Sequence, residues 1–225
     1  MEARLHAILL RSPPILFDEF MKDCQKEYDA PAHSLTELRS RENKKKRGDI
    51  FEEFCRLYLL KVMEYTDVWL LPDLPADIRA ELQLPKRDMG IDIICRRADK
   101  YTAVQCKYKK VSGKAVSVPW RELSTFQGLC AKTGPYEKHI VMTTANFVRH
   151  QGAKGEKDLS ICLAGFRGLS SGDWTKMCGL SGNTIADVIT HVPLTQEEMR
   201  AARLLRFGVV GNEHGSAHLP AENPL

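Results

Sequence analysis

The sequence predicts an α/β fold in which helices flank a central mixed β-sheet, in the order α-β-β-β-α-β, with helical additions at both ends. Two observations predict it. An apolar stripe of helical period (Phe51, Phe54, Cys55, Tyr58 and Val62) precedes three strand-like runs, at 66–71, 91–97 and 101–109. A second helical stretch begins near Ser117, and two buried-type strands follow it, at 139–143 and 159–164. Helices and strands alternating in this way cover the two faces of one sheet.

Composition narrows the functional classes before any motif is weighed. The 225 residues are 43% hydrophobic and 28% charged, the balance of a globular chain large enough to bury a core. The best candidate for a leader or a membrane span, residues 5–10, is broken by His6 and ended by Arg11, so neither is expected. No G-K-[ST] loop occurs, and Gly165, Gly168 and Gly172 lack the strand-to-helix setting of a dinucleotide fingerprint. A nucleotide-driven motor is thus not encoded in this stretch. Seven cysteines, at 24, 55, 95, 106, 130, 162 and 178, form no C-x-x-C pair, and the histidines show no metal-ligand spacing. Free thiols in a reducing intracellular compartment, cytoplasm or nucleus, are the expectation, without a zinc site or disulfide framework. The net charge of +4 demands no polyanionic partner, but the basic residues are clustered. Residues 41–47 read R-E-N-K-K-K-R, and Lys107, Lys109, Lys110 and Lys114 crowd one strand end. Alone, such a lysine run reads as a solvated connector.

From the N-terminus, Ser12-Pro13-Pro14 supplies a cap and a first-turn proline for a helix with the stripe Ile15, Leu16, Phe20, Met21 and Cys24. Ala30-Pro31 breaks it, and Ser34-Leu35-Thr36-Glu37 is a capping box for a second short helix. The helix over about 48–64 carries the stripe named first. At 100° per residue, Glu52 lies at the edge of that stripe and Glu53 nearly opposite it. Glu52 is therefore the carboxylate placed to look toward the sheet; the plain alternative is an acidic first-turn residue favoured by the helix dipole. Strand 66–71 ends at Pro72, and 75–84 makes a short helical or irregular crossing. Ser117-Val118-Pro119 opens the next helix, with Trp120, Leu123, Gln127 and Cys130 on one side, and Thr133-Gly134-Pro135 ends it. After the last strand, Asn183 caps a helix to Ile189, and the box Thr195-Gln196-Glu197-Glu198 opens one that runs to Phe207. From Gly211 little remains to bury.

The hairpin of strands 91–97 and 101–109 carries the chemistry. Side chains alternate faces, so Asp92 and Ile94 share one face, and Gln105 and Lys107 stand together about 7 Å apart along their strand. With Asp99-Lys100 as a two-residue turn, residue 98 pairs with 101 and Asp92 falls opposite Lys107. An aspartate, an amide and a lysine then converge on one patch. Singly, each belongs on the wet face of any amphipathic hairpin; together, behind a helix bearing Glu52, they suit a divalent cation held beside a lysine. Asp88, four residues before Asp92, is read as a turn residue after Lys86-Arg87.

Gly90-Ile91-Asp92 followed by Gln105-Cys106-Lys107, with Gly48-Asp49-Ile50-Phe51-Glu52 opening the preceding helix, resembles the core of the Mrr-like restriction endonucleases. These lie within the PD-(D/E)xK nuclease superfamily, and the resemblance spans residues 44–166. It departs at two points: Ile91 stands in place of the motif proline, and Gln105 in place of an acidic residue, a form familiar in the Mrr branch. The resemblance implies a restriction-endonuclease-like core over 44–170; the residues themselves suggest a helical extension over 1–43, a helical appendage over 171–210 and a disordered tail over 211–225. The resemblance also implies a Mg²⁺-dependent endonuclease of double-stranded DNA, with Mn²⁺ able to substitute. Asp92 is then the principal metal ligand, the Gln105 side-chain oxygen and the Cys106 backbone carbonyl complete the set, and Glu52 binds directly or through water. Lys107 positions or activates the attacking water, and Gln127 is an accessory polar residue. Lys44, Lys45, Lys46, Arg47, Lys109, Lys110 and Lys114 form the phosphate-contacting rim. A homodimer and a helicase or translocase domain or partner belong to the same picture; a membrane does not. Two other readings stay open: a structure-selective nuclease of the Holliday-junction resolvase kind, and a non-catalytic DNA-binding module with a degenerate site, for which Gln105 is the hint.

Overall fold

The sheet has five strands, and their burial explains their order. The computed structural model describes residues 1–29, 41–85, 90–110, 114–149 and 155–180, all within one compact unit, Met1–Ile185. In chain order the strands are β1 (Asp67–Leu70), β2 (Ile93–Arg97), β3 (Lys100–Lys107), β4 (Ser117–Val118), β5 (Tyr136–Thr143), β6 (Phe147–Val148) and β7 (Asp158–Ile161). The main sheet runs β1-β2-β3-β5-β7, and β4 and β6 form a separate two-stranded ribbon. β1 with β2 and β2 with β3 are antiparallel, whereas β3 with β5 and β5 with β7 are parallel. β3 and β5 sit at the centre and are the most buried strands, as parallel pairs covered on both faces are. The expected mixed sheet is therefore the observed one.

Seven helices among the described residues cover it: α1 (Glu2–Arg11), α2 (Leu16–Asp29), α3 (Arg41–Lys61), α4 (Ala76–Glu81), α5 (Ser124–Cys130), α6 (Leu163–Arg167) and α7 (Ser171–Met177). On one face, α1, α2, α3, α6 and α7 pack over Ile93, Cys95, Val104, Cys106, Ile140 and Met142. Phe17, Phe20, Phe51, Phe54, Phe166 and Trp174 interlock there, with Phe54 touching rings of α2, α3, α6 and α7. On the other face, α4, α5 and the β4–β6 ribbon pack over Ile94, Ala103 and Val141. Strand alternation divides β3 between the two clusters: Val104 and Cys106 face the first, Ala103 the second.

Several boundaries differ from the sequence expectation. The helix expected from about 48 begins at Arg41, so the basic run is helical and not a connector. Lysine, arginine and glutamate are good helix formers. Ser12 is not the start of a helix but the left-handed C-cap of α1 (φ 46°), its N–H reaching the Leu9 carbonyl. Ser117–Val118 is strand, followed by a 3-10 turn at Trp120–Glu122, and α5 starts only at Ser124. Pro119 favours an extended residue before it, and Val118 is β-branched, so the chain stays extended there. The strand expected over 159–164 stops at Ile161, and α6 takes Leu163 and Ala164. The helices expected at 34–37, 183–189 and 195–207, and the tail from 211, lie outside the described residues.

Candidate active site

The site is built on the β2–β3 hairpin, and its register comes from the turn. Ala98 and Asp99 are the two turn residues, both with positive φ (47° and 59°), and Arg97 pairs with Lys100. This is the primed two-residue turn whose twist matches the strands. The turn lies one residue earlier than the sequence expectation placed it, which slides the pairing by two. Ile93 pairs with Val104; one step further along, Asp92 comes level with Gln105, not Lys107. The slip is even, so Gln105 and Lys107 keep their common face, but alternation ends at Ile93: Ile91 packs in the second cluster with Ile94, whereas Ile93 packs in the first. Lys107 stands about 7 Å beyond Gln105 along β3.

Asp92 sits where the β2–β3 ladder ends. Its N–H donates to the Val104 carbonyl (2.9 Å), and its carbonyl accepts the Leu71 N–H (2.8 Å), fixing its backbone between β3 and the end of β1. The next donor on β3, the Cys106 N–H, goes to Asp92 Oδ2 at 2.6 Å. The carboxylate thus closes the ladder with its side chain. A carboxylate offers about four lone-pair positions, so one such bond leaves it able to ligate further.

Gln105 is 1% exposed, and its Oε1 is a buried acceptor without a hydrogen-bond partner among the described residues. An orphaned buried carbonyl costs about 1–3 kcal/mol, so its presence calls for a reason. Gly90 explains how the amide fits. Its φ is +103°, and a Cβ there would sit 3.2 Å from Gln105 Nε2 and 3.4 Å from the Phe126 nitrogen. Only glycine gives both the conformation and the room.

Behind β3, Cys55 of α3 and Cys106 lie in thiol contact. Burial pushes both thiols above their ordinary pKa, and the negative charges of Glu52 and Asp92 push the same way. Of the two carboxylates, Asp92 reaches the Cys106 N–H itself, and Glu52 lies on α3, three positions before Cys55. Glu53 is turned elsewhere, bonded through both oxygens to Arg56 (2.7 and 2.8 Å).

The backbone of Lys107 is clamped from β5. Thr143, opposite it in the register, donates its hydroxyl to the Lys107 carbonyl (2.7 Å). Thr144 exchanges hydrogen bonds with the Lys109 backbone, accepting its N–H and donating to its carbonyl. Sequence reasoning missed these two threonines and the packing role of Gly90; the signal available was a pair of β-branched hydroxyl residues at a strand end.

The remaining candidates are scattered. Lys109 Nζ is ion-paired with Glu122 (2.7 Å), Lys110 and Lys114 are exposed, and Gln127 is half-buried on α5. Lys44, Lys45, Lys46 and Arg47 occupy the first turns of α3, where only the backbone is described.

Among the described residues no three His, Cys, Asp or Glu side chains gather closely enough to hold a metal. The oxygen donors present are nonetheless of the right kind for a hard divalent cation: the Asp92 and Glu52 carboxylates and an unsatisfied buried amide oxygen. By donor chemistry these residues suit such an ion, the amide being a third oxygen beside the two carboxylates.

Searches of curated proteins and of solved structures gave no significant match. Residues 60–177, a little over half the chain, match the sequence model of a restriction endonuclease family of the Mrr catalytic type. The matched stretch takes in Asp92, Gln105, Lys107 and Gln127 and begins after Glu52. A mixed α/β sheet with its polar residues gathered where β2 meets β3, and a family match across that region, make this chain a member of the Mrr-like restriction endonuclease family, and hence a nuclease.

Proposed function

We propose that the chain is a Mg²⁺-dependent endonuclease that hydrolyses phosphodiester bonds of double-stranded DNA at the Asp92–Gln105–Lys107 site. The observation that carries this reading is the fully buried Gln105 oxygen, without a hydrogen-bond partner among the described residues, one position before Cys106, whose N–H meets the Asp92 carboxylate. Asp92, Gln105 Oε1, the Cys106 carbonyl and Glu52 would hold the cation. When bound, Mg²⁺ neutralises phosphate oxygens and acidifies its own water.

The protein's part is positioning and charge. Lys107 carries three N–H donors and a positive charge, which orient the attacking water and offset the charge that builds on the phosphate. Its backbone is held by Thr143, so its reach is fixed by the strand and not by a loop. The Cys106 N–H holds the Asp92 carboxylate in place.

Recognition of the DNA backbone falls to the basic residues at this end. Phe51 packs on Tyr108, and Cys55 on Cys106. Four helix residues (about 6 Å) thus match two strand residues in the reverse direction (about 7 Å). α3 therefore runs antiparallel to β3, and its first turns extend past the catalytic end, Arg41 lying about 16 Å along the axis from Glu52. Lys44, Lys45, Lys46 and Arg47, with Lys110 and Lys114, then make the phosphate-contacting rim.

The test is a Mg²⁺ titration of DNA cleavage with the wild type and Lys107→Ala. Cleavage that rises with Mg²⁺ in the wild type and is lost in the variant is expected. Cleavage that survives in Lys107→Ala overturns the site assignment, and DNA binding with no cleavage at any Mg²⁺ concentration leaves a binding module.

A further inference from the structure

Three large apolar side chains stand well exposed among the described residues: Leu10, Phe147 and Leu159. Phe147 belongs to the catalytic end. It follows Thr143, the partner of Lys107 across β3 and β5, by four positions, so its Cα lies within about 14 Å of that pair.

The segment that carries it is well tied down. Phe147 and Val148 pair in parallel with Ser117 and Val118. The Asn146 N–H donates to the Val116 carbonyl (2.8 Å), the Val116 N–H donates to Asn146 Oδ1 (2.8 Å), and the Arg149 N–H donates to the Val118 carbonyl (2.9 Å). Val118 is buried in the second core cluster and Val148 packs against it. Strand alternation then turns Phe147 and Arg149 outward together. Phe147 is 43% exposed, and the Arg149 guanidinium lies 5.7 Å from its ring centroid. Lys110, Lys114, Arg121 and Arg149 are exposed on the segments that lead into and out of the ribbon. Lys109 is ion-paired with Glu122.

A ring held out on a short ribbon, with a guanidinium beside it and further cations nearby, is complementary to a base face flanked by phosphates. An apolar protein surface would cover the ring and leave the cations unmatched. We propose that the β4–β6 ribbon positions the substrate: Phe147 stacks on an unpaired or unstacked base next to the scissile phosphate, and Arg149 contacts an adjoining phosphate. The proposal rests on the nuclease reading above and narrows its substrate to DNA with a base out of the stack near the cut.

The test compares a fully paired duplex with the same duplex carrying 2-aminopurine in a two-nucleotide bulge. Affinity is measured without divalent metal, and cleavage with Mg²⁺. The wild type should prefer the bulged duplex and change the 2-aminopurine emission on binding. Phe147→Ala, which removes an exposed ring and should melt as the wild type does, is expected to bind the bulged duplex about ten-fold more weakly and to lose the emission change. Its affinity for paired DNA should stay within about two-fold, and Phe147→Trp should restore both signals. Arg149→Ala should lower the salt slope of binding by about one. Wild-type affinity and emission in Phe147→Ala, or an equal loss on both duplexes, overturns this proposal while leaving the nuclease reading in place. A wild type that neither binds nor cuts either DNA overturns both.

Discussion

Gln105 presents a neutral amide where a carboxylate would hold a hard cation more tightly. Gln105→Glu should therefore lower the Mg²⁺ concentration for half-maximal cleavage by roughly ten-fold; an unchanged titration midpoint would remove Gln105 from the ligand set. Asp92→Ala and Lys107→Ala should abolish cleavage with the fold retained, because neither side chain lies in an apolar cluster. Asp92→Ala also loses the Cys106 N–H bond, for a cost of about 1 kcal/mol in denaturant unfolding. Gly90→Ala places a Cβ at φ +103° and 3.2 Å from the Gln105 amide. It should destabilise by more than about 1 kcal/mol and depress cleavage, since the amide must shift. At this scale the family motif that proposes Asp92, Gln105 and Lys107 was readable in the sequence, as was the common face of Gln105 and Lys107. That the Gln105 oxygen is buried and unsatisfied was not, because it depends on Gly90 and Phe126 closing around it.

Among the elements, α3 joins stability to function. Its buried face meets the aromatic cluster, and Phe54→Ala should cost about 3–5 kcal/mol in denaturant unfolding, as expected for an aromatic lost from a filled core. Its N-terminal turns carry the basic run. Replacing Lys44, Lys45 and Lys46 together should weaken binding to all DNA sequences and flatten its salt dependence; an unchanged salt slope would deny that run a phosphate role. The existence and order of strands and helices were readable from periodicity. Two details were not, and both were decided by local chemistry. The hairpin turn fell on Ala98-Asp99, where two left-handed residues suit the strand twist, and the choice moved the register by two. The stretch opening at Ser117 became strand because the β4–β6 ribbon offered Val118 a pairing partner in Val148, some 30 residues away in sequence.

For the whole molecule, two layers of helices over one sheet bury most of the cysteines as small apolar side chains. Burial raises the thiols of Cys55, Cys95, Cys106, Cys130 and Cys178 above their ordinary value of 9.0, Cys130 to about 12 and Cys178 to about 11. The folded state thus keeps protons that the unfolded state releases near pH 9. Stability from these groups is complete below about pH 9 and is lost as the pH rises toward 11–12. Unfolding measured from pH 8 to 11 should show a steady loss of stability; a flat profile would mean that the thiols are better hydrated than this packing allows. The N-terminal helices belong to the same core as α3: Phe17 and Phe20 of α2 find their partners in Phe54 and Phe166, and α1 adds Leu5 and Ile8. The central claim is that this core serves to hold a phosphodiester-cleaving site. The most direct measurement incubates the purified chain and its Asp92→Ala variant with supercoiled plasmid and a four-way junction, in Mg²⁺ or in EDTA. Nicking or linearisation of the plasmid by the wild type in Mg²⁺ only, and none by the variant, is the expected result; cleavage by the variant, or cleavage undiminished in EDTA, would overturn the proposed site.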